Sequence, residues 1–227
     1  VRLQRAVREE IAAYHQRTGV NILDPETTYI DPRVTIGAGT TILPGTILRG
    51  STVIGENCEI GPNAMLVNCS VGDGSVVNAS QAFESILGRN VHVGPFAHIR
   101  PGCEIADGCK IGAFVEVKNA SFGQDTKLSH LTYVGDAQVG SRVNFGCGTI
   151  TSNYDGFQKH RTVSGDGACI GCNVNLVPPV SVGDGSYIAA GTTVTKDVEA
   201  DALAVGRVRQ ENKPGWAKKR RQLHGGK

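Results

Sequence analysis

Aliphatic residues recur at every sixth position through most of this 227-residue chain. The first block has seven of them without a gap: Ile30, Ile36, Ile42, Leu48, Ile54, Ile60 and Leu66. After a slip in register the pattern resumes in two further blocks: Leu87, Val93, Ile99, Ile105, Ile111 and Val117, and then Ile170, Leu176, Val182, Ile188 and Val194. A period of six is a multiple of the strand period of two and does not fit the helical period of 3.6. One aliphatic residue per hexad can therefore face a single interior.

The residues around each aliphatic position indicate a short strand followed by a corner. Glycine often comes next, as at Gly37, Gly55 and Gly94, where a corner needs permissive backbone dihedrals. Small or β-branched residues lie four positions after each aliphatic residue: Thr40, Thr46, Thr52, Cys58, Ala64 and Ser70. Three hexads close a triangular coil of about 18 residues, and such coils stack at ~4.8 Å through parallel hydrogen bonds. The pattern predicts an all-β fold, a parallel β-helix of about nine coils between Ile30 and Val198.

The composition agrees with a turn-rich β fold. Glycine accounts for 30 residues and aromatic residues for only 5%, which disfavours a helical bundle. Hydrophobic residues at 40% and charged residues at 19% exclude disorder of the whole chain. The sequence has no run of about 18 apolar residues and no apolar signal-peptide core. We therefore expect a cytoplasmic protein without a membrane partner, whose seven cysteines are reduced.

The N-terminal segment, residues 1–20, is predicted to be a short amphipathic linker helix. Leu3, Val7, Ile11 and Tyr14 lie on one helical face, with charged residues elsewhere. Such a helix would lead into the β-helix. Because the chain starts with valine instead of methionine, we expect it to be part of a longer protein.

Two further segments follow from the period. The β-helix is predicted over residues 21–198, with a projecting loop at 145–163 where the hexads break. Residues 199–227 form a tail, expected to be loosely ordered, whose basic cluster lies at 218–221. That cluster lacks interleaved aromatic residues, so we interpret it as a solvated tail and expect no nucleic-acid partner.

Two basic residues are predicted to lie one above the other in neighbouring coils. Arg100 and Lys118 directly follow the inward residues Ile99 and Val117, one full coil apart. Two cations at ~5 Å repel each other unless an anion lies between them. The equivalent position one coil earlier is predicted to be Ala82, so it provides no acidic side chain to balance them. A bound phosphate held by charge-assisted hydrogen bonds is one interpretation. Two solvated surface cations that fan apart are the other.

The longest break in the period is the run FGCGTITSNYDGFQKHRTV, which begins at Phe145. An insertion must leave the stacked coils, and projecting loops on a rigid scaffold tend to carry function. His130 lies shortly before this loop. Histidine is the side chain best suited to proton transfer near neutral pH, but a lone histidine is often structural. The residue pattern leaves both roles open for His130.

The cysteines favour structural roles over a metal site. Cys58, Cys103 and Cys109 occupy the small-residue slot of their hexads. The motif from Cys169 to Cys172 has two intervening residues and no second pair to complete a tetrahedral zinc site. We therefore predict no metal ligands.

Five strings resemble a known enzyme family: GPFAHIRPG, FVEVKNA, LSHLTYVGDA, NFGCGTITSNYDG and IAAGTTVTKDV. Together with the hexads, they make residues 2–227 similar to the C-terminal half of the bifunctional enzymes that combine glucosamine-1-phosphate acetyltransferase and N-acetylglucosamine-1-phosphate uridyltransferase activities. These enzymes are hexapeptide-repeat acyltransferases. The resemblance implies that the coil is left-handed, which the period itself cannot determine.

The resemblance implies transfer of the acetyl group of acetyl-CoA to the amine of glucosamine 1-phosphate, on the way to UDP-N-acetylglucosamine and bacterial cell-wall precursors. His130 would be the general base in a direct attack within a ternary complex. The residues that match sugar-phosphate ligands are Arg100, Lys118, Tyr133, Asn144 and Lys159. Those that match the acetyl-CoA site are Cys147, Asn153, Tyr154, Cys172, Ala190 and Arg207. Cys147 and Cys172 fall where relatives often carry alanine and serine, which puts the side-chain hydrogen bonding at Cys172 in doubt.

The resemblance also implies partners. Related enzymes are homotrimers with active sites between subunits, so we expect the loop and tail to reach across, with Lys159 approaching the phosphate from an adjoining subunit. Acetyl transfer would need no metal ion. Magnesium would belong to a uridyltransferase domain, and nothing in residues 1–29 matches that domain's glycine-rich loop. We therefore expect acetyl transfer without uridyl transfer.

Two alternatives remain. A zinc enzyme like the γ-class carbonic anhydrases uses the same solenoid with three histidines at a trimer interface, and His92, His98 and His130 are available, although their spacing does not follow that pattern. A catalytically silent structural solenoid is the other alternative. Its projecting loop would spoil the flat, regular face that an ice-binding solenoid requires.

Overall fold

The computed structural model describes residues 2–225, which wind into a triangular solenoid of parallel strands. The first face is an eleven-stranded sheet with one strand from each coil. Its strands are Asn21–Ile22, Thr41–Ile42, Glu59–Ile60, Val76–Val77, His92–Val93, Lys110–Ala113, Lys127–His130, Asn144–Phe145, Cys169–Ile170, Tyr187–Ile188 and Leu203–Ala204. The last strand lies beyond the predicted end at residue 198, because Leu203 pairs with Tyr187.

The other two faces form one seventeen-stranded sheet. The second face holds Tyr29–Ile30, Ile47–Arg49, Met65–Val67, Gln81–Phe83, His98–Ile99, Ile150–Thr151, Asn175–Leu176 and Thr193–Val194. The third face holds Thr35–Ile36, Val53–Ile54, Ser70–Val71, Ile86–Leu87, Glu104–Ile105, Thr162–Ser164 and Val180–Val182. Two longer strands, Glu116–Phe122 and Tyr133–Val139, pair with strands of both faces and so join them. We call the edge between the first and second faces the first corner, and the edge between the second and third faces the second corner.

The core is a stack of aliphatic side chains inside the triangle. Every aliphatic residue of the three hexad blocks is buried, which confirms the predicted inward positions. Threonine suits the small inward slots because its hydroxyl bonds to backbone: Thr40 Oγ1 donates to the Gly55 carbonyl oxygen at 2.8 Å. Ser70 is an exception, since it is exposed while Cys69 is buried. The coil from Val53 to its partner Ser70 has 17 residues, and the register slips there.

Helix α1, Arg2–Arg17, closes the N-terminal end of the core. The predicted helix is present, but its predicted apolar face is mostly wrong, since Leu3, Val7 and Tyr14 are exposed. Ala12 and His15 are buried instead, and Ile11 packs against the core. The small side chain of Ala12 lets the helix approach the first coil, and burial lowers the pKa of His15.

The C-terminal tail contains a second helix, α2, at Trp216–Leu223. No residue of this helix is buried, and its main side-chain contact is Arg220 stacked 5.5 Å from the Trp216 ring centroid. Neither helix within residues 2–225 is long and apolar enough to cross a membrane. Residues 1 and 226–227 of the predicted linker and tail lie outside the described part of the chain.

The first corner carries bulky apolar residues where the backbone turns with positive φ. Most such positions in these coils are taken by residues that tolerate left-handed backbone, such as Asn63 at φ 55°. Phe96, Phe114 and Leu131 instead have φ of 60°, 58° and 44°. They are 60%, 59% and 58% exposed, and the two phenylalanine rings stack with centroids 5.4 Å apart. We call these three residues the apolar ridge.

Candidate active site

Arg100 and Lys118 lie side by side on the second face, as their spacing predicts. Their strands pair in parallel, and the Arg100 backbone nitrogen donates to the Val117 carbonyl oxygen at 2.8 Å. Both side chains are partly exposed. The two cations therefore occupy the same slot in neighbouring coils.

The predicted neighbour of Arg100 one coil earlier is wrong. Ala82 pairs with Ile99 because this coil is also one residue short, so the same register places Phe83 beside Arg100, and that position still offers no acid. An acid that the sequence analysis missed lies in the following coil: Glu116 Oε1 is 2.9 Å from Arg100 Nη1. Arg100 therefore has a counter-ion within the chain, and the argument for a bound anion depends on Lys118.

Lys118 has a second cation beside it. The close approach of the Lys159 side chain lowers the pKa of Lys118; burial and the charges of Lys159 and Arg100 act in the same direction, and Asp136 opposes them. Lys159 belongs to the projecting loop, so the loop folds back onto the second face of its own chain. Lys159 thus lies beside Lys118 of the same chain and not, as expected, only beside the site of an adjoining subunit. Two adjacent ammonium groups next to a guanidinium form a place where an anion such as phosphate binds favourably.

Asp136 connects the loop to the second face. It lies at the second corner with φ 50°, and its Oδ1 accepts a hydrogen bond from Asn119 Nδ2 at 2.6 Å. Asn153 Nδ2 donates to the other carboxylate oxygen. Partial burial raises the pKa of Asp136, but these two hydrogen bonds and the charges of Lys159 and Lys118 lower it overall.

The loop itself is a short antiparallel hairpin. Tyr154 bridges to Lys159, and Asp155 accepts hydrogen bonds from the backbone nitrogens of Phe157 and Gln158 at 2.8 and 2.7 Å. His160 Nε2 lies 2.7 Å from Asp155 Oδ2. The bond from Gln158 and the contact with His160 are the main reasons that the pKa of Asp155 falls to about 2. An ionised Asp155 thus shapes the turn that carries Lys159.

The projecting part is shorter than the predicted 145–163. Phe145, Thr149 and Thr151 are buried in the stack, and Thr162 resumes the third face. The excursion therefore begins after residue 152 and emerges at the second corner, directly next to Asp136.

His130 lies exposed at the first corner, where it ends a first-face strand. Continuing the strand register places Cys147 beside it in the next coil, then Cys172, then Ala190. Backbone hydrogen bonds of 2.8 to 2.9 Å tie these coils at the corner. Three of the residues predicted for acetyl-CoA therefore form one column with the predicted base. Arg207 ends this column, packed beside Gly191.

Tyr133 lies on the second face between His130 and the cations. A Cβ added to Gly135 would overlap the Tyr133 hydroxyl and lie 2.9 Å from Asn153 Nδ2, so both polar groups cover Gly135. The structure thus brings Tyr133, Asn153, Lys118 and Lys159 together.

Other predicted residues are not gathered there. Asn144 lies exposed on the first face, paired with Lys127 and Cys169, away from the second-face cluster. Tyr154 is 60% exposed on the hairpin. Glu116 and Asp136 were missed by sequence reasoning, although both lie inside quoted strings, close to the predicted ligands Lys118 and Tyr133.

The three candidate zinc histidines are spread over the solenoid. His92 lies on the first face two coils before His130, and His98 lies on the second face with its ring edge against Phe83. Across residues 2–225, no three histidine, cysteine, aspartate or glutamate side chains are grouped closely enough to hold a metal ion.

A family model for the bacterial transferase hexapeptide, covering six repeats, matches residues 33–68, 84–119 and 165–196. These segments coincide with the regular coils and flank the hairpin. The chain belongs to the hexapeptide-repeat transferase family. The coil of this hexapeptide-repeat protein is accordingly a left-handed β-helix.

Curated relatives of this hexapeptide-repeat protein are similar over nearly its whole length. "Bifunctional protein GlmU" from Caldanaerobacter subterraneus subsp. tengcongensis is 54% identical over 217 residues, which cover 96% of this chain and 48% of the relative. The GlmU of Geobacillus sp. (strain WCH70) is 51% identical over 213 residues, covering 94% and 46%. The chain thus spans about half the length of the curated relatives it matches. Among solved structures, LpxA from Acinetobacter baumannii matches with a TM-score of 0.43 and 20% identity, over 82% of this chain and 71% of that one.

Proposed function

We propose that this chain transfers the acetyl group of acetyl-CoA to the amine of glucosamine 1-phosphate. The observation that carries the proposal is the stacking of Lys118 beside Arg100 in neighbouring coils, with Lys159 of the hairpin next to Lys118, on the face that begins at His130. The cations Arg100, Lys118 and Lys159 then lie near one edge of the second face, and the potential base His130 lies at its other edge. The GlmU relatives support the same assignment through their identity to this chain.

The phosphate end of the substrate would lie at the cations. Lys118 and Lys159 donate to its oxygens, and Arg100 adds charge while it stays paired with Glu116. Tyr133 and the side chain of Asn153 would contact the sugar, since both lie over Gly135 next to Lys118. This arrangement favours a sugar phosphate over an uncharged sugar.

The amine end would lie toward His130. An alkyl amine is mostly protonated near neutral pH and cannot attack a thioester until it loses a proton, which a neutral imidazole accepts. The amine nitrogen forms a bond to the thioester carbonyl carbon, and the carbon–sulfur bond breaks. The nitrogen passes its second proton to solvent as the amide forms, and the CoA thiolate takes up the proton that His130 received. A backbone N–H in the Asn153 to Tyr154 segment would stabilise the oxyanion. No side chain is acylated, and the route uses no metal ion.

Acetyl-CoA would lie along the first-corner column. Cys147, Cys172 and Ala190 have small side chains that leave the backbone accessible at successive coils. Arg207, at the end of the column, would meet a phosphate of the cofactor. The thioester would then lie at the His130 end.

We propose a homotrimer as the active form. The apolar ridge of Phe96, Phe114 and Leu131 directly adjoins His130 and exposes an apolar surface that a neighbouring subunit would cover. Asn144, which is not gathered with the other site residues, would serve a site on a neighbouring subunit.

A thiol-release assay tests the function. The chain is supplied with acetyl-CoA and glucosamine 1-phosphate, and His130→Ala is compared with His92→Ala, a matched exposed histidine on the same face. We expect release that depends on the sugar phosphate and falls by about 10²-fold or more in His130→Ala, with His92→Ala unchanged. Undiminished turnover in His130→Ala would place the base elsewhere, and no turnover in the parent chain would favour a silent solenoid.

A further inference from the structure

Two cysteines occupy equivalent places in neighbouring coils at the first corner. Asn144 pairs with Cys169 and Phe145 with Ile170, so the same register places Cys147 opposite Cys172. The Asn173 backbone nitrogen donates to the Cys147 carbonyl oxygen at 2.8 Å, so the pairing holds through the corner. Cys147 is half-buried and Cys172 is exposed.

The backbones of these two coils approach closely at this point. A Cβ added to Gly146 would lie 2.5 Å from the Cys172 backbone nitrogen. Adjacent parallel strands are ~4.8 Å apart, and disulfides join residues whose Cα atoms are about 4.4 to 6.8 Å apart. The spacing of Cys147 and Cys172 therefore falls in the range that a disulfide bridges. Gly146 and Gly148 flank Cys147 and allow small backbone adjustments.

The remaining cysteines do not compete. Four are buried, and burial raises the pKa of each thiol: Cys58, Cys69, Cys103 and Cys109. A buried, protonated thiol is inert to oxidants and alkylating agents. Cys169 is partly exposed, but it pairs with Asn144 on the first-face strand and therefore lies opposite a different residue of the neighbouring coil from Cys172.

We propose that Cys147 and Cys172 form a thiol pair that low-molecular-weight disulfides oxidise to an intrachain disulfide. The exposed Cys172 thiolate attacks one sulfur of the oxidant RSSR, forming a mixed disulfide and releasing RS⁻. The Cys147 thiolate then attacks the Cys172 sulfur and displaces the second RS⁻. Two protein thiols are oxidised, one oxidant disulfide is reduced to two thiols, and both protons pass to solvent or to the released thiolates.

The bond would lie inside the column that joins His130 to Ala190. Formation of the disulfide does not depend on the proposed function, but its effect on catalysis rests on that function. The bridge fixes two side chains where the acetyl-CoA thioester would lie. Displacing a reactant by ~1 Å costs on the order of 10²-fold in rate. Oxidation would therefore slow acetyl transfer, and reduction would restore its rate.

Peptide mapping tests the bond directly. The reduced chain is incubated with oxidised glutathione, alkylated to block remaining thiols, and digested with trypsin. Cys147 then lies in the peptide 143–159, and Cys169 and Cys172 lie in the peptide 162–196. We expect these two peptides to become linked in the parent chain and in Cys169→Ser, with loss of the link in Cys147→Ser, in Cys172→Ser and after treatment with excess reduced thiol.

Three mapping results would overturn the proposal: a persistent glutathione adduct without the link, a link that survives in Cys172→Ser, or a link between separate copies of the chain on a non-reducing gel.

The same samples are then assayed for acetyl transfer. We expect oxidation to slow the parent chain and Cys169→Ser by about 10-fold or more, and to leave the rate of Cys172→Ser, which lacks the attacking thiol, at its own reduced value. A linked chain that keeps its full rate would overturn the effect on catalysis. A reduced chain without acetyl transfer would contradict the proposed function, while the mapping result would still decide the bond.

Discussion

Asn153 donates its side-chain amide to the carboxylate of Asp136, and this contact determines which atom of Asn153 remains free. An ionised carboxylate only accepts hydrogen bonds, so the amide nitrogen is held and the amide oxygen is left as an acceptor. Asp136 in turn lies between Asn119 and Asn153, at the place where the hairpin leaves the solenoid. The orientation of the hairpin and of Asn153 therefore depends on one carboxylate.

Asp136→Asn is expected to slow acetyl transfer by between about 10-fold and 10²-fold, because Asn153 loses its fixed orientation. The loss should appear in kcat more than in the KM for acetyl-CoA. Asp125→Asn is the matched control, since Asp125 is also a corner aspartate with positive φ, at 59°, and asparagine tolerates that backbone. Equal losses in the two variants would indicate a general corner effect.

The lowered pKa of Asp136 also predicts a pH dependence of stability. Partial burial opposes the shift, and the hydrogen bonds from Asn119 and Asn153 with the nearby lysine charges produce it. Because the folded pKa lies below the unfolded value of about 3.9, the stabilisation is present above about pH 4 and is lost as pH falls through the folded pKa. Denaturant titrations of the parent chain and Asp136→Asn should differ by a constant amount near neutrality and converge in acid.

Lys118→Met and Lys159→Met should each raise the KM for the sugar phosphate by about 10-fold or more, because each removes a charge-assisted hydrogen bond to the same anion. Their effects should combine non-additively in the double variant. Lys127→Met, on the first face, is the control. In Lys159→Met the pKa of Lys118 should rise, since Lys159 is the largest cause of its lowering, and the alkaline limit of phosphate binding should move to higher pH. If the alkaline limit of phosphate binding is the same in Lys159→Met as in the parent chain, the contact between the two lysines is contradicted.

The sequence predicts the solenoid well because its period records burial directly. Each inward residue such as Ile99 or Ile188 is buried, and a coil with three sides of six residues places every sixth residue inside. The end of the stack at Leu203 was missed because Leu203 and Ala204 lie outside the hexad spacing and pair through backbone hydrogen bonds, which carry no side-chain signal. The buried face of helix α1 was mispredicted because it is centred on the small residue Ala12, which lets the helix lie close to the first coil. A search for large apolar residues at helical spacing does not detect such a face.

The candidate site is less predictable from sequence. The stacking of Arg100 over Lys118 follows from counting residues, but the ion pair with Glu116 depends on which coils are one residue short. Two contacts depend on how the hairpin folds back: that of Asp136 with Asn153 and that of Lys118 with Lys159. The six-residue repeat carries no information about the path of an inserted hairpin, so these contacts could not be predicted from it.

Asp155→Asn is expected to loosen the hairpin and raise the KM for the sugar phosphate, with little change in the KM for acetyl-CoA. The substitution removes the charge that pairs with His160 and weakens the bonds from the backbone nitrogens of Phe157 and Gln158. The pKa of Asp155 is about 2, so its contribution is complete above about pH 4 and disappears only as pH falls through 2. Amide hydrogen exchange of residues 154–160 measures the loosening. Phe157→Ala, whose side chain is 94% exposed, should leave exchange and KM unchanged.

Phe114→Asn is expected to dissociate the proposed homotrimer without unfolding the chain. Asparagine tolerates the φ of 58° better than phenylalanine does, so the solenoid itself loses little, whereas the apolar ridge loses its central residue. Light scattering should show three chains of 23.9 kDa for the parent protein and a smaller particle for the variant. Ile86→Asn is the control, because Ile86 is similarly exposed, at 55%, but lies on the third face.

Since the apolar ridge adjoins His130, dissociation of the trimer by Phe114→Asn should also remove acetyl transfer, and activity should return at high protein concentration. A parent protein with the mass of one chain, or a trimer unaffected by Phe114→Asn combined with Phe96→Asn, would show that the ridge has another purpose.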